Sequence, residues 1–321
     1  MTLRHLLADD DLSAAEQRAV LDRALALKAD RHAEQPLAGP RSVAIVFDKP
    51  TLRTQVSFAT GVAELGGHPM VLDGRLAQIG TRESVEDVAR VLGRQVSAIV
   101  WRTSGQERIE TMAEHAGVPV VNALTDAYHP CQLLADLLTL REHRGELAGQ
   151  TLAYVGDGAN NMAHSYLLAG ALAGLHVRIG TPAGHLPDAE VVARAETHAA
   201  AQGGSITVTD DPVAAVEGAD AVATDTWVSM GMEEESSGRT GSGSPFAPYS
   251  VTEALVDHAA DDAVVLHCLP AYRGVEIAAD VIDGPRSVVW DEAENRLHAQ
   301  KALLAFLLEQ PGDAAGPGRP E

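Results

Sequence analysis

The chain has 321 residues, 45% apolar and 21% charged, which is typical of a globular protein long enough for two domains with large cores. Its formal net charge of −21 argues against nucleic acid or an anionic membrane as a partner, because both select basic surfaces. Two cysteines do not make a disulfide framework, and an acidic N-terminus without a long apolar run predicts a cytoplasmic protein with no signal peptide.

The first part of the chain alternates between helix and strand patterns. Ser13 and Glu16 form a capping box that opens a helix reaching Leu27. Apolar runs predict strands at residues 43–47, 69–72, 98–101 and 118–122, and helical spacing predicts helices at residues 54–65, 83–93 and 131–141. Such alternation is typical of a parallel sheet with crossover helices.

The alternation starts again after a polar joint at residues 141–150, which contains two glycines. Strands are predicted at residues 151–155, 176–180, 205–209, 219–224, 263–266 and 287–290, and helices at residues 162–173, 188–202, 211–217 and 295–308.

The predicted fold class is α/β, with two Rossmann-like three-layer domains, each built on a central parallel β-sheet flanked by helices. The predicted domains are residues 1–145 and 150–292, with helix 295–309 packing back on the first. Residues 311–321 are rich in proline and glycine and are predicted to be a disordered tail.

An anion site is predicted where strand 43–47 leads into helix 54–65. The segment from Thr51 through Leu52 and Arg53 to Thr54 offers hydroxyls, a guanidinium and backbone N–H groups at a helix N-terminus. Taken alone, Thr51 or Thr54 could equally serve as a helix cap.

Two further segments follow strands of the same predicted sheet. Arg102 follows strand 98–101, at the sheet edge where ligands bind in open α/β folds. His129 and Pro130 open helix 131–141, and the positive end of that helix should lower the pKa of His129 and favour its neutral form. A neutral histidine there can donate to an oxyanion, and Gln132 can hold an amide-like group. A His-Pro pair at a helix start can also be purely structural.

The turn after strand 151–155 resembles the beginning of a dinucleotide fingerprint. It has Gly156 and Gly158, but Asn161 stands where the third glycine should be, which disfavours a nicotinamide site. Asparagines at this turn can instead bind a carboxylate or an amino group.

The segment from Asp225 to Gly231 has the chemistry to recognise an amino acid. It follows strand 219–224, so it lies at the ligand edge of the second sheet. Asp225 can hold an ammonium group, Ser229 offers a hydroxyl, and the turn at Met230 offers backbone N–H groups for a carboxylate. Residues 232–245 are rich in Gly, Ser and Glu, and are interpreted either as a surface connection or as a mobile lid.

Two late motifs have ordinary structural interpretations. His267 and Cys268 are adjacent, but no further Cys or His has ligand spacing nearby, so a metal site is disfavoured. Glu292 is expected in the solvated start of the last helix, near its positive end.

The order of these motifs is more specific than any one of them. The run from Thr51 through Arg102, His129, Asn161 and Asp225 to the His-Cys-Leu-Pro segment at residues 267–270 resembles the ornithine carbamoyltransferase family, within the aspartate/ornithine transcarbamoylase superfamily. The resemblance extends from about residue 4 to residue 308. It implies the conversion of carbamoyl phosphate and L-ornithine to L-citrulline and phosphate, with no metal and no organic cofactor, by a homotrimer that can assemble further.

The resemblance also implies a role for each site residue. Carbamoyl phosphate would contact Thr51, Leu52, Arg53, Thr54, Arg102, His129, Gln132, Cys268, Leu269 and Arg296, together with Gln78 of a neighbouring subunit. Ornithine would contact Asn161 and Met230 through its carboxylate, and Asp225 and Ser229 through its α-amino group. The residues implied to be catalytic are Arg53, Arg102, His129, Asp225 and Cys268.

The phosphate loop departs from the usual family pattern of Ser-Thr-Arg-Thr-Arg. Leu52 lacks a hydroxyl, Gln55 replaces the second arginine, and Ala59 replaces a glutamate one helical turn later. Because an Arg-Glu pair at this spacing would make contact, the joint loss indicates a missing structural salt bridge. A transcarbamoylase for a related amine and a non-catalytic protein of this fold are the alternatives, although Arg53, His129 and Asp225 are all present.

Overall fold

A computed structural model describes residues 3–49, 51–228, 236–241 and 243–309. The chain divides into two compact units. The first comprises Met1–Leu12, Ala19–Cys131 and Arg296–Glu321, and the second comprises Ser13–Arg18 and Gln132–Asn295. No helix among the described residues combines the length and hydropathy that a bilayer span requires.

The first unit contains a four-stranded parallel sheet in the order β2-β1-β3-β4. Its strands are β1 (Ser42–Phe47), β2 (His68–Asp73), β3 (Ala98–Arg102) and β4 (Val120–Leu124). Its helices are α2 (Arg53–Glu64), α3 (Gly74–Ala77), α4 (Val85–Gly93) and α5 (Gln106–Ala116). β1 and β3 are almost wholly buried, as expected for central strands with helices on both faces.

The second unit contains a five-stranded parallel sheet in the order β7-β6-β5-β8-β9. Its strands are β5 (Thr151–Val155), β6 (His176–Gly180), β7 (Ser205–Thr209), β8 (Ala221–Thr224) and β9 (Val264–His267). Its helices are α7 (Asn161–Leu172), α8 (Ala189–Gln202), α9 (Pro212–Val216), α10 (Ser236–Thr240), α11 (Glu253–Val256) and α12 (Ala279–Ile282). The two parallel sheets confirm the predicted fold class.

Three helices contain residues of both units. They are α1 (Ala14–Ala29), α6 (Pro130–Arg144) and α13 (Val289–Glu309). The capping box before α1 is confirmed, because the Glu16 carboxylate accepts from the Ser13 backbone N–H at 2.8 Å and the Ser13 hydroxyl accepts from the Glu16 N–H at 3.3 Å.

Some predicted elements were wrong. The strand predicted at residues 287–290 is instead a single bridge from Ser287 to Val265, and α13 starts at Val289, before the predicted residue 295. Helix α6 continues to Arg144, into the predicted joint, because basic residues in its last turn favour a helix C-terminus and Gly145, with φ of 82°, ends it.

Helix α5 was missed by the sequence interpretation. Its buried residues Ile109, Met112, Ala113 and Ala116 follow helical spacing, so the signal was present in the sequence. Strand β4 starts at Val120 rather than at residue 118, since Pro119 contributes only its carbonyl, which accepts from the Ile99 N–H at 2.9 Å.

The sheet topology places the predicted site segments at one edge of each sheet. In the first unit, adjacent strands β1, β3 and β4 lead into the Thr51–Thr54 segment, Arg102 and His129. In the second unit, adjacent strands β5, β8 and β9 lead into the segments that carry Asn161, Asp225 and Cys268. All of these segments follow carboxyl ends of parallel strands, where ligands bind in open α/β sheets.

Candidate active site

The N-terminus of α2 presents an anion-binding surface. Leu52 is the N-cap, and Arg53 and Thr54 are the first helical residues. The first N–H groups of a helix have no partner within the helix, and they lie at the positive end of its dipole. No acidic residue lies in this first turn. The Leu52 side chain is 72% exposed, so this position can contribute a backbone N–H but no side-chain contact to a bound anion.

Arg102 and Arg296 each contact a hydroxyl of this segment. Arg102 donates to Thr51 Oγ1 at 3.3 Å, and Arg296 donates to Thr54 Oγ1 at 2.5 Å. Both guanidinium groups are buried, at 8% and 3% exposure. Guanidinium groups at a helix N-terminus can donate to the oxygens of a phosphate or a carboxylate, so the arrangement suits an anionic ligand.

His129 lies within the field of these cations. Burial lowers the pKa of His129 well below its usual value, and the positive charges of Arg296, Arg102 and Arg53 lower it further. The imidazole is therefore neutral near pH 7 and retains one N–H to donate. The lowered pKa of His129 agrees in direction with the prediction, but its causes are burial and the three arginines.

Asp48 fastens the start of the Thr51–Thr54 segment to its surroundings. Its carboxylate accepts from Trp101 Nε1 at 3.2 Å, from Thr103 Oγ1 at 2.7 Å and from Arg108 at 3.1 Å. Arg108 also donates to the backbone carbonyl of Ile79 at 3.0 Å. This group of hydrogen bonds connects the end of β1, the end of β3 and the turn that contains Ile79.

Gln78 is exposed at the end of α3 and has left-handed backbone torsions, with φ of 51°. Leu269 is the other non-glycine residue in the described part of the chain with positive φ, at 58°. Such conformations cost free energy and tend to persist where function requires them. Both residues belong to the set that the family resemblance assigns to substrate binding.

Asp225 and Cys268 meet in the second unit, where the Cys268 thiol donates to Asp225 Oδ1 at 3.1 Å. Burial raises the pKa of Cys268 well above its usual value, and the charges of Asp225 and Glu292 raise it further. Burial also raises the pKa of Asp225, although His267 and the Cys268 hydrogen bond oppose the shift. Cys268 is thus a protonated thiol that orients Asp225, which disfavours a thiolate nucleophile.

His267 takes a structural role. Its Nδ1 accepts from the Leu269 N–H at 2.9 Å, so its Nε2 carries the proton and donates to Glu276 Oε1 at 3.2 Å. Ligand-type atoms of Asp225, His267 and Cys268 lie within 4.8 Å of one another. Sequence spacing did not reveal this group, because Asp225 follows a different strand. The absence of a metal requirement stays a prediction.

Gln132 is fully buried in the second unit. Its amide nitrogen donates to Asp136 Oδ1 at 2.8 Å and to Glu292 Oε1 at 3.0 Å. The expectation that Glu292 lies in a solvated helix start was wrong, since it is 1% exposed and its other oxygen accepts from the His267 N–H at 2.8 Å. The residue lies in the first turn of α13, inside the fold rather than at its surface.

Asn161 is the first residue of α7, after the N-cap Asn160, whose Oδ1 accepts from the Ala163 N–H at 2.8 Å. The predicted ornithine contacts Ser229 and Met230 lie outside the described residues. Asn161, at the start of α7, and Asp225 follow β5 and β8, which are neighbouring strands.

Part of the proposed lid is described. Arg239 of α10 donates to Asp157 Oδ2 at 2.6 Å and to the Trp227 carbonyl at 3.0 Å, and its guanidinium lies 5.3 Å from the ring centroid of Phe246. Residues 232–235 and 242 lie outside the described residues, and the mobile lid stays a prediction. Arg239 ties the segment to the turn before Asn161, a contact that no sequence motif indicated.

Comparison with known proteins connects both units to one enzyme family. Residues 4–142 match a family model described as the carbamoyl-P binding domain of aspartate/ornithine carbamoyltransferase, and residues 148–307 match the model of its Asp/Orn binding domain. The chain is 63% identical over 307 residues to an ornithine carbamoyltransferase of Clavibacter michiganensis subsp. michiganensis, covering 96% of this chain and 99% of that protein.

Two solved structures show the same similarity. The crystal structure of ornithine carbamoyltransferase from Gloeobacter violaceus superimposes with a TM-score of 0.85 at 45% identity, over 95% of this chain and 98% of that one. Ornithine carbamoyltransferase from Pyrococcus furiosus superimposes with a TM-score of 0.88 at 43% identity, with the same coverage of each chain.

Proposed function

The chain belongs to the aspartate/ornithine carbamoyltransferase family, and we propose that it transfers the carbamoyl group of carbamoyl phosphate to L-ornithine, giving L-citrulline and phosphate. Similar proteins that carry the name ornithine carbamoyltransferase align with 96% of the chain, which supports ornithine as the acceptor. The structural observation that carries the proposal is the group of buried arginines around neutral His129 at the start of α2. The expected setting is arginine biosynthesis or citrulline metabolism in the cytoplasm.

The phosphate is held by the N-terminus of α2. Backbone N–H groups of residues 51–54 and the Arg53 and Arg102 guanidinium groups would neutralise its charge, with Arg296 on the same side. The overall charge of −21 repels an anionic substrate, so this local positive surface must overcome the field of the whole protein. When the bond between the carbamoyl carbon and the phosphate oxygen breaks, the same groups stabilise the departing dianion.

The carbamoyl oxygen becomes an oxyanion when the amine attacks. His129, as a neutral donor, Arg102 and Thr54 are the groups assigned to stabilise it. Gln132 and the carbonyls of Cys268 and Leu269 hold the carbamoyl NH₂, which orients the electrophilic carbon toward the amine.

Ornithine is held by its α-amino acid end, so that its side-chain amine reaches the carbamoyl carbon. Asp225 and Ser229 bind the α-ammonium group, and Asn161 and Met230 bind the carboxylate. Burial raises the pKa of Asp225 and so favours its neutral form. Because only the ionised carboxylate pairs with an ammonium group, the positive charge of bound ornithine must favour the ionised form.

The nucleophile must first lose a proton. With a lysine-like pKa of about 10.4, only about 0.1% of the side-chain amine is free at pH 7.5, which costs about 4 kcal/mol. Asp225 and Cys268 are the groups assigned to orient the amine. Because Cys268 is a protonated thiol that donates to Asp225, the Asp225 carboxylate is the group that can accept the proton. When the tetrahedral intermediate collapses, the attacking nitrogen loses a second proton and the departing phosphate oxygen takes one up, so citrulline forms and phosphate leaves as HPO₄²⁻.

We also propose a homotrimer with sites shared between neighbouring subunits. Two observations support a subunit contact near α2 and α3. Leu52 and Leu76 are 72% and 83% exposed, which is unusual for large apolar side chains in a monomer. A cleft of about 440 Å³ is lined in part by Leu52, Thr51, Gln55 and Arg75.

Citrulline formation from carbamoyl phosphate tests the proposed function. L-ornithine is compared with lysine, putrescine, N-acetylornithine and aspartate as acceptors. We expect a clear preference for ornithine with kcat above about 10 s⁻¹, a typical enzyme value. Faster turnover of another amine would move the function to a related transcarbamoylase, and absence of turnover with every acceptor would favour a non-catalytic protein.

The changed phosphate loop gives a second test. Gln55 is exposed, one helical turn before Ala59 on α2. We therefore expect the Gln55→Arg, Ala59→Glu double variant to restore a surface ion pair and to change KM for carbamoyl phosphate by less than about tenfold, because exposed pairs contribute little. A hundredfold lower KM would show instead that the native loop is functionally altered.

A further inference from the structure

Two buried carboxylates surround the amide nitrogen of Gln132. We propose that Asp136 and Glu292 are positioning residues that hold the Gln132 side chain in one of its two amide orientations, so that its carbonyl oxygen faces the carbamoyl NH₂ of the substrate. The inference rests on the proposed function, and it names two residues whose part in the reaction is indirect.

The geometry determines the orientation. Gln132 Nε2 lies 2.8 Å from Asp136 Oδ1 and 3.0 Å from Glu292 Oε1. The amide nitrogen has two hydrogens to donate, and one oxygen of each carboxylate accepts from it. Both hydrogens are therefore used by these two carboxylates. The opposite orientation would place the amide oxygen against two acceptor oxygens, in a buried site where such repulsion is strong.

The two carboxylates are themselves held by further donors. Tyr166 donates its hydroxyl to Asp136 Oδ2 at 2.7 Å, and the His267 N–H donates to Glu292 Oε2 at 2.8 Å. The result is a continuous chain of hydrogen bonds from Tyr166 through Asp136, Gln132 and Glu292 to the backbone of His267. All of these residues are 1% exposed or less, so water does not compete for the bonds.

The chain of hydrogen bonds ends next to a second group of carbamoyl contacts. His267 precedes Cys268 and Leu269, whose carbonyls are also assigned to the carbamoyl NH₂. Glu292 thus fastens the start of that turn and the Gln132 amide at the same time. The substrate NH₂ would meet acceptors that are already oriented, which lowers the cost of binding it.

The consequence is selectivity for an NH₂ group over a methyl group of the same size. Two stable analogues differ in this group alone, namely phosphonoacetamide and 2-oxopropylphosphonate. With the amide oxygen oriented, the wild-type protein should prefer phosphonoacetamide. If Gln132 can rotate, its NH₂ can turn toward the ligand and the preference should shrink.

The test measures the dissociation constants of both analogues and of inorganic phosphate by titration calorimetry. In Asp136→Leu and in Glu292→Met, we expect the ratio of the two analogue constants to fall at least fivefold, while the constant for inorganic phosphate changes less than twofold. Asp136→Asn and Glu292→Gln keep an acceptor oxygen, so they should restore part of the ratio. If Asp136→Leu does not fold, Glu292→Met decides the question alone.

Thr139→Val is the matched control. Thr139 is buried on the same helix, and its hydroxyl accepts from Asn295 Nδ2 at 2.9 Å, so the variant removes a buried hydrogen bond that does not involve Gln132. We expect it to lower stability and leave the ratio unchanged.

An unchanged ratio in both Asp136→Leu and Glu292→Met, or a parallel loss of phosphate binding, would overturn the inference. A wild-type protein that forms no citrulline would instead overturn the proposed function, so the two failures are distinguishable.

Discussion

At the scale of single residues, burial decides which side chains can act as acids, bases or donors. The pKa of His129 is lowered by burial and by three arginines, whereas burial raises the pKa of the Cys131 thiol to about 12. Cys131 donates to the Asn122 carbonyl at 3.3 Å and has no part in the proposed chemistry. Of the two cysteines, Cys268 is the one that contacts Asp225, the carboxylate proposed to bind substrate.

The lowered pKa of His129 predicts how stability depends on pH. The unfolded state binds a proton at this histidine near pH 6.5 and the folded state does so only at lower pH, so stability is lost as pH falls below about 6.5. His129→Gln should remove this loss. Relative to wild type, the variant should gain up to about 1.4 kcal/mol for each pH unit below 6.5, and nothing above pH 7.5.

Urea unfolding of both proteins at pH 7.5, 6.5 and 5.5 measures this difference. A difference that stays constant over the three pH values would show that His129 titrates normally in the folded protein.

At the scale of elements, the position of the anion site depends on the packing of α2 against α13 in the first unit. Thr54 at the start of α2 contacts Arg296 of α13. Further along, Lys301 of α13 donates to Glu64 Oε2 at 2.7 Å and to the Arg31 carbonyl at 2.5 Å. Although burial opposes it, hydrogen bonds from Arg31 and Lys301 lower the pKa of Glu64.

Glycine makes this helix pair possible. A Cβ atom on Gly61 of α2 would lie 3.0 Å from Lys301 Cγ, so a larger residue would push the lysine stem away from Glu64. The absence of a side chain at Gly61 thus leaves room for the Lys301 stem between the two helices that carry Thr54 and Arg296.

Replacing one partner of the Glu64–Lys301 ion pair should destabilise the protein more than replacing both partners. Lys301→Met leaves the buried Glu64 carboxylate with Arg31 as an ion-pair partner, so we expect a loss of about 3 kcal/mol, the lower end of the usual range for breaking a buried pair. The double variant Lys301→Met, Glu64→Leu should recover part of that loss. Thermal and urea unfolding of the three proteins measure it, and a double variant less stable than Lys301→Met would contradict the argument.

At the scale of the whole molecule, the proposed trimer predicts that active sites can be rebuilt from two inactive chains. Gln78 is exposed, and the family resemblance assigns it to the phosphate site of a neighbouring subunit. Arg53→Ala should inactivate the site of its own chain, and Gln78→Ala the site of a neighbour. In a mixed trimer, a Gln78→Ala chain still has Arg53. Its site can receive the intact Gln78 of a neighbouring Arg53→Ala chain.

Mixing the two variants under conditions of subunit exchange should therefore restore a fraction of wild-type activity, whereas each variant alone stays low. Sedimentation analysis checks that trimers form. Activity that does not rise on mixing, with exchange demonstrated, would place Gln78 in the site of its own chain or outside the reaction.

The sequence alone determined the fold class and the order of the motifs. The spacing of apolar residues predicts which segments are helices and which are strands. Parallel strands bring the segments that follow them to one edge of the sheet. The sequence was therefore enough to assign Thr51, Arg102, His129 and Asp225 to such edges. It also predicted a neutral His129, because a helix terminus is a local feature. The start of α13 was predicted wrongly, because a short apolar run such as residues 287–290 can belong to either a helix or a strand.

Only the tertiary structure decided which distant side chains meet and which become buried. Cys268 contacts Asp225 from 43 residues away, and Gln132 contacts Glu292 from 160 residues away. Glu292 follows a helix-start pattern that is solvated in most proteins, and only packing shows that it is buried beside Gln132. Desolvation and long-range pairing depend on the arrangement of whole elements, which the periodicity of neighbouring residues does not record.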